Sequence, residues 1–143
     1  MIEGLILTPL KQIYHPKGDI YHGMKQSDCG FSGFGEAYFS TIQKAEIKGW
    51  KKHTKMVLNL IVPLGEIEFI IYDDREGSST FNEFFSIKLS QKNYMRLSVP
   101  VGVWMAFRGI SSDTNMLLNI ASIEHDPTEA LVKELSEINY DWN

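Results

Sequence analysis

The sequence predicts an all-β protein, a sandwich or barrel of many short strands. Short runs of apolar or alternating residues recur along the chain, separated by turn-forming residues. The stretch 14–35 carries Pro16, Gly18, Gly23, Gly30, Gly33 and Gly35, too many turn formers for a helix. A good helical signal occurs once, near the C-terminus.

The elements follow in order. Ile2, Leu5, Leu7 and Leu10, with Pro9 closing the run, predict a short strand that pairs with another chain or with an outer sheet. Met24 and Phe31 anchor the loop-rich stretch after it. Glu36 to Ile42 alternates as a strand does, with Glu36, Tyr38 and Ser40 on one face and Ala37 and Phe39 on the other. Ala45 to Lys55 is a lysine-rich strand. Met56 to Val62 is an apolar run broken by Asn59, and Pro63-Leu64-Gly65 is a turn. In Glu66 to Asp73, Ile67, Phe69 and Ile71 alternate with Glu68, Ile70 and Tyr72, and residues 73–79 form a loop. Four more strands are predicted over 84–89, 95–99, 104–107 and 116–123, punctuated by Pro100-x-Gly102 and Arg108-Gly109. A C-terminal helix then starts at Asp126 as cap, with Pro127 in its first position and Glu129 closing a capping box. Leu131, Leu135 and Ile138 follow at helical spacing. The predicted organisation is a single domain over 1–143: N-terminal strands and loops over 1–34, a barrel over 35–125, and a helix and tail over 126–143.

Composition narrows the function. A chain of 143 residues is long enough for one domain with a real core. Its formal net charge of -4 argues against nucleic-acid binding, which needs a basic footprint. No apolar run approaches the roughly 20 residues of a membrane span, and the N-terminus lacks the pattern of a signal peptide. Cys29 is the single cysteine, which fits a reducing cytoplasm.

Against this acidic background, Ile47 to Lys55 holds four lysines, His53 and Trp50 within nine residues. On an extended strand Lys51, His53 and Lys55 share one face, and a kink at Gly49 brings Lys48 round to join them. A row of cations on one face is either a solvated or blunted sheet edge or a site for an anionic ligand.

Gly49-x-Lys51-x-His53, the turn glycine Gly65 and Pro100-x-Gly102-x-x-Met105 together resemble the layout of a cupin, a small jelly-roll barrel. Cupins present His-x-His and a carboxylate in a first motif and Pro-x-Gly-x-x-His in a second, and these side chains commonly hold a metal. The corresponding positions here carry Lys51, His53, about Leu58, and Met105. A divalent metal needs several imidazoles or carboxylates, so the resemblance implies no metal and no other cofactor.

The metal-free branch of cupins includes the dTDP-4-dehydrorhamnose 3,5-epimerase family and the related nucleotide-sugar 3,4-ketoisomerases. From about Gly35 to Pro127 the chain resembles a small, divergent member. The resemblance rests on Lys48-Gly49-Trp50-Lys51-Lys52-His53, Tyr72-Asp73-Asp74-Arg75, Val99-Pro100-Val101-Gly102-Val103-Trp104 and Glu124-His125-Asp126-Pro127. The epimerases show Arg-Gly-x-His, whose Arg contacts diphosphate and whose His, held by an Asp, is the base. Lys48 matches that Arg, Gly49 the Gly, and Lys51 stands at the His. The ketoisomerases carry a second His two places on, which His53 matches. The epimerases' late acidic Tyr falls at Asn119.

The resemblance implies removal and return of a proton beside a ketone on a dTDP-4-keto-6-deoxyhexose-like nucleotide sugar, in surface-polysaccharide biosynthesis. That chemistry needs a base and a stabiliser for the enolate. His53 is the expected base, histidine having an intrinsic pKa near 6.5. Lys51 is either its electrostatic partner or the base itself. Lys48, Lys55 and Arg75 are candidates for the diphosphate, with Arg75 equally able to pair with Asp73 or Asp74. Tyr38, Tyr72, Trp50 and Trp104 can stack on a base or sugar, and at most two of them are expected to touch ligand. Glu36 orients His53 or faces water. Asn59 bonds a ligand or the backbone, and Asn119 lines the site. The expected partners are the nucleotide sugar and a second copy of the chain, with no nucleic acid and no membrane. A cupin that binds a sugar without turning it over is the alternative.

Overall fold

The computed structural model describes residues 1–143. Ten strands form two five-stranded antiparallel sheets that face each other as the walls of a barrel. The first sheet has the order β1 (Ile6–Pro9), β9 (Met95–Val99), β6 (Leu58–Leu64), β11 (Asn115–Ala121), β4 (Glu36–Ile42). The second runs β12 (Ala130–Val132), β5 (Ile47–His53), β10 (Trp104–Gly109), β7 (Glu66–Tyr72), β8 (Phe84–Ser90). β2 (Gln12–Ile13) and β3 (Ile20–Tyr21) make a separate hairpin.

Alternation explains which residues fill the barrel. Leu58, Leu60 and Val62 of β6 meet Ile67, Phe69 and Ile71 of β7, with Leu97 and Val99 of β9 and Leu117 of β11, and all are buried together. Each such side chain contributes roughly 1.5–3 kcal/mol by leaving water. At the far end of β6, Pro63 and Leu64 remain in the strand and the turn is made by Gly65 at φ +75.

The outer faces are covered by loops. Residues 22–31 lie over the first sheet. There the fully buried Arg96 donates to Gly23 O (2.8 Å), Asp28 Oδ2 (3.2 Å) and Cys29 O (3.1 Å). Asn59 faces the same way: its Nδ2 donates to Gly30 O (3.0 Å) and its Oδ1 accepts from Ser98 Oγ (2.6 Å). The backbone alternative for Asn59 is the one observed.

Over the second sheet lies the C-terminal segment. Ile138 packs on Trp50, Ile70, Trp104 and Ala106. Tyr140 and Trp142 add their rings to Trp50, with centroids 6.4 and 5.9 Å away. Arg108 clasps this tail, donating to Trp142 O (2.6 Å) while paired with Glu68 (2.5 Å).

One expectation is corrected. The helix over 126–143 is absent, and the only helical piece is a 3-10 turn at Leu135–Glu137. Asp126 does accept from Thr128 N (2.9 Å) and Oγ1 (2.7 Å), as a cap would. Glu129, however, is drawn into the barrel wall instead of back to Asp126. Residues 130–132 are then taken up as edge strand β12, with Leu131 opposite Lys52. Leu131 is consequently 52% exposed and does not form an apolar helix face. Of the two alternatives for the N-terminal strand, the sheet is the one observed: it forms the outer strand beside β9, Ile6 opposite Ser98 and Pro9 opposite Met95.

Candidate active site

A cavity of about 230 Å³ opens between β4, the edge of the first sheet, and β5, which lies next to the edge strand β12 of the second. Its floor is apolar: Leu58 and Leu60 from β6, Met105 and Phe107 from β10, and Leu117 from β11. Its polar groups stand on two walls. β5 contributes Lys48, Lys51 and His53, while β4 and β11 contribute Tyr38, Ser40 and Asn119.

Lys48 and Lys51 are three residues apart, a spacing that puts two side chains on opposite faces of a regular strand. A β-bulge resolves this. Lys51 opposes Met105 and Lys48 opposes Phe107, so Gly49 and Trp50 together face the single residue Ala106. Gly49 has φ +148, and a Cβ there would lie 2.4 Å from Ala106 Cβ and 2.7 Å from its Cα. The position admits only glycine without a shift of β10. The bulge sends Trp50 outward, fully buried under the tail, and leaves both lysines facing the cavity.

His53 ends β5. Its Nδ1 is bonded to Glu129 Oε1, and the two side chains are 12% and 2% exposed. Glu129 Oε2 accepts from the backbone amides of Thr54 (3.1 Å), Lys55 (3.0 Å) and Met56 (3.2 Å). Burial works to raise the Glu129 carboxyl, but hydrogen bonds from His53, Lys55 and Met56 outweigh it and hold the group below its ordinary value. An ionised carboxylate on Nδ1 fixes the tautomer with Nδ1 protonated and Nε2 free as a base.

On the opposite wall Tyr38 faces Asn119 across the β4–β11 ladder. Its hydroxyl accepts from Asn119 Nδ2 (3.1 Å), while Asn119 Oδ1 accepts from Asn59 N (3.2 Å). With its lone pair engaged, the Tyr38 hydroxyl keeps its own proton to donate. Lys48 Nζ donates to Thr41 O (2.8 Å), which spans the mouth and leaves two further N–H donors.

Of the residues expected at the site, the structure therefore brings together Lys48, Lys51, His53, Tyr38 and Asn119. The others lie elsewhere. Lys55 is exposed beyond the end of β5, near Asp126. Glu36 starts β4 opposite Ala121 and does not meet His53, whose carboxylate partner is Glu129. Asn59 holds the outer loop. Tyr72 stacks on Phe84 at 4.6 Å on the outer face. Trp104 is buried there as well, donating from Nε1 to Asp74 Oδ2 (2.8 Å) beneath the Lys52 ammonium. Arg75 pairs with the fully buried Asp73 through Nε (2.8 Å) and Nη2 (2.9 Å), and reaches Glu3 O (2.6 Å). The sequence places Glu129 as the residue closing a capping box on Asp126, whereas its partners lie more than 70 residues away in sequence. The available signal was a loop carboxylate whose cap role Asp126 could already fill.

The cavity lining carries one imidazole and two lysines, with no carboxylate. It does not suit a divalent metal.

A sequence model of the dTDP-4-dehydrorhamnose 3,5-epimerase family matches residues 11–143. The chain belongs to that family. A dTDP sugar isomerase from Desulfovibrio desulfuricans G20 has the same fold at a TM-score of 0.94 and is 31% identical, over 99% of this chain and 92% of that one. The probable low-salt glycan biosynthesis epimerase of Haloferax volcanii is 27% identical over 112 residues, 75% of this chain and 72% of the relative. A spore coat polysaccharide biosynthesis protein of Bacillus subtilis is 23% identical over 147 residues, covering 100% of this chain and 97% of that protein. The fold is accordingly that of the epimerase-type cupins, and the chain is a carbohydrate epimerase or isomerase.

Proposed function

We propose that the chain epimerises or isomerises a dTDP-linked 4-keto-6-deoxyhexose in surface-polysaccharide biosynthesis, by enolisation without a metal. The observation that carries this is the Glu129–His53 pair at one wall of a cavity whose other wall carries Tyr38. His53 Nε2 takes the proton from the carbon next to the ketone. The positive charge of Lys51 stabilises the enolate that forms. Tyr38, held by Asn119, gives a proton back from the opposite side. Lys48 takes the diphosphate at the mouth with its two free N–H groups. The apolar floor accepts the deoxy face of the sugar. The imidazole stands at the position of the second histidine of the ketoisomerases, which favours migration of the ketone over epimerisation at two carbons.

Incubation with dTDP-4-keto-6-deoxyglucose, followed by proton NMR, tests this. The expected result is a new set of sugar-ring signals with the nucleotide unchanged. An unaltered spectrum together with no binding of dTDP contradicts the reading. Lys48→Ala is expected to weaken dTDP binding about tenfold, a loss of about 1.4 kcal/mol, which titration calorimetry measures.

We further propose a homodimer acting in the cytoplasm. Ile13, Tyr14 and Ile20 of the hairpin are 43%, 78% and 56% exposed, and Phe39 on the edge strand β4 is 64% exposed. Apolar groups this open favour burial against a second copy. Cys29 is a free, exposed thiol, which suits a reducing compartment. Sedimentation equilibrium giving a mass near twice 16.4 kDa supports the dimer, and a mass of 16.4 kDa contradicts it.

A further inference from the structure

The start of β5 shows one set of residues to the cavity and another to the outer face, where the C-terminal tail (residues 133–143) lies. We propose that this tail positions the ligand site: by covering Ile47 and Trp50 from outside, it keeps Lys48 turned into the cavity. This rests on the reading that Lys48 takes the diphosphate.

Two registers compete at the start of β5. In a regular strand Ile47 would share the face of Lys51, and Lys48 would point outward. The bulge at Gly49 and Trp50 exchanges the two. Lys48, opposite Phe107, then lines the cavity. Ile47, opposite Arg108, packs on the outer cluster of Trp50, Ile70, Trp104, Ala106 and Ile138. Lys51 and Lys52 keep Met105 and Trp104 as partners, because the shift falls before Lys51 in the chain.

The outer face decides between the registers. In the regular one the Lys48 ammonium would lie against an apolar cluster, where an unpaired charge is costly, and Ile47 would leave that cluster. The tail is what closes the cluster from water: Leu135, Ile138, Tyr140 and Trp142 all pack there. Trp50 exchanges backbone hydrogen bonds with Lys133 in both directions, each 3.0 Å. Its indole N–H has no hydrogen-bond partner, so packing holds the ring. Arg108, beside Ile47, fastens the end of the tail through Trp142 O. With the tail displaced, this face opens to water, an outward Lys48 is solvated, and the penalty against the regular register is lost. Only the bulged register offers Lys48 to a diphosphate, so a docked tail raises the fraction of protein competent to bind.

Titration calorimetry with dTDP tests this, on the full chain carrying Trp142→Ala, Lys48→Ala or both. Trp142→Ala is expected to weaken dTDP binding about fivefold, as when the competent register falls to about a fifth of the protein. In the Lys48→Ala background it is expected to make no further difference, because the tail acts through Lys48. Trp142→Phe keeps an apolar ring over Trp50 and is expected to restore wild-type affinity. Tyr140→Ala opens the same cover from the neighbouring ring, 4.9 Å from Trp142, and is expected to behave as Trp142→Ala does. Solvent-deuterium uptake from saturating dTDP-4-keto-6-deoxyglucose is expected to stay at the wild-type rate in Trp142→Ala, since Lys51 and His53 lie beyond the shift, while the substrate concentration needed rises. Equal weakening with and without Lys48, no weakening in either background, or slower exchange at saturation overturns the proposal and leaves Lys48 as the diphosphate ligand. A wild type that does not bind dTDP, or a Lys48→Ala protein that binds it as tightly as the wild type, overturns both.

Discussion

Glu129 accepts from His53 and three consecutive backbone amides, so one side chain sets both the imidazole and the chain that follows it. Glu129→Gln keeps the volume and removes the charge that orients Nδ1–H. Deuterium uptake is expected to fall about 10- to 100-fold, with dTDP affinity unchanged by calorimetry. A loss of both would place Glu129 in the scaffold alone. Asp73 is the matching test of stability. Burial works to raise its carboxyl, but the side chains of Arg75, Ser78 and Thr80 and the Arg75 amide outweigh it and hold the group far below the carboxylate range. A folded-state value depressed in this way adds stability that is complete above the unfolded value, near 3.9, and is lost as pH falls toward the folded one. Asp73→Asn is therefore expected to cost about 3 kcal/mol or more at pH 7 and progressively less below pH 4. Denaturant melts at both pH values check this, and a pH-independent difference contradicts it. Of the site's residues, Lys51 and His53 could be read from the chain because strand alternation is local. Glu129 could not, because its partners are distant in sequence and its own neighbours imitate a helix start.

β5 shows how an element makes a site that its residues alone do not. A regular strand would turn Lys48 away from Lys51, and the bulge at Gly49 and Trp50 turns it back. Gly49→Ala is expected to destabilise the protein by about 1–3 kcal/mol and to weaken dTDP binding through Lys48, both measurable on the purified variant. Behind the same strand, Tyr140 and Trp142 complete the cover over Trp50. Trp142→Ala is expected to cost about 2 kcal/mol by thermal melting, less than a fully buried tryptophan because this one is half-buried. The strands over 36–42 and 95–99 were legible to the residue, since apolar and polar residues alternate through Met95 to Val99 and well enough through Glu36 to Ile42. Residues 126–138 were not, since a cap at Asp126 and apolar spacing also fit an edge strand followed by a tail. The competition was decided by the open edge of β5 and by the place the barrel wall offers Glu129.

At the scale of the molecule, two facing sheets isolate a few polar groups over an apolar floor, in a chain whose net charge is -4. The barrel was foreseeable from strand count and turns. The division of aromatics was not, because an alternating strand does not say which face is inner: Trp50, Tyr72 and Trp104 all support the outer cluster. The central claim is that His53, at the inner wall, enolises a keto sugar without a metal. Solvent-deuterium incorporation into dTDP-4-keto-6-deoxyglucose, measured by proton NMR on chelator-treated protein, tests it most directly. The wild type is expected to lose the signal of the ring proton next to the ketone, and His53→Asn to lose it at least about 100-fold more slowly while still binding dTDP. Equal uptake by the two proteins, or uptake that needs added metal, would contradict the account.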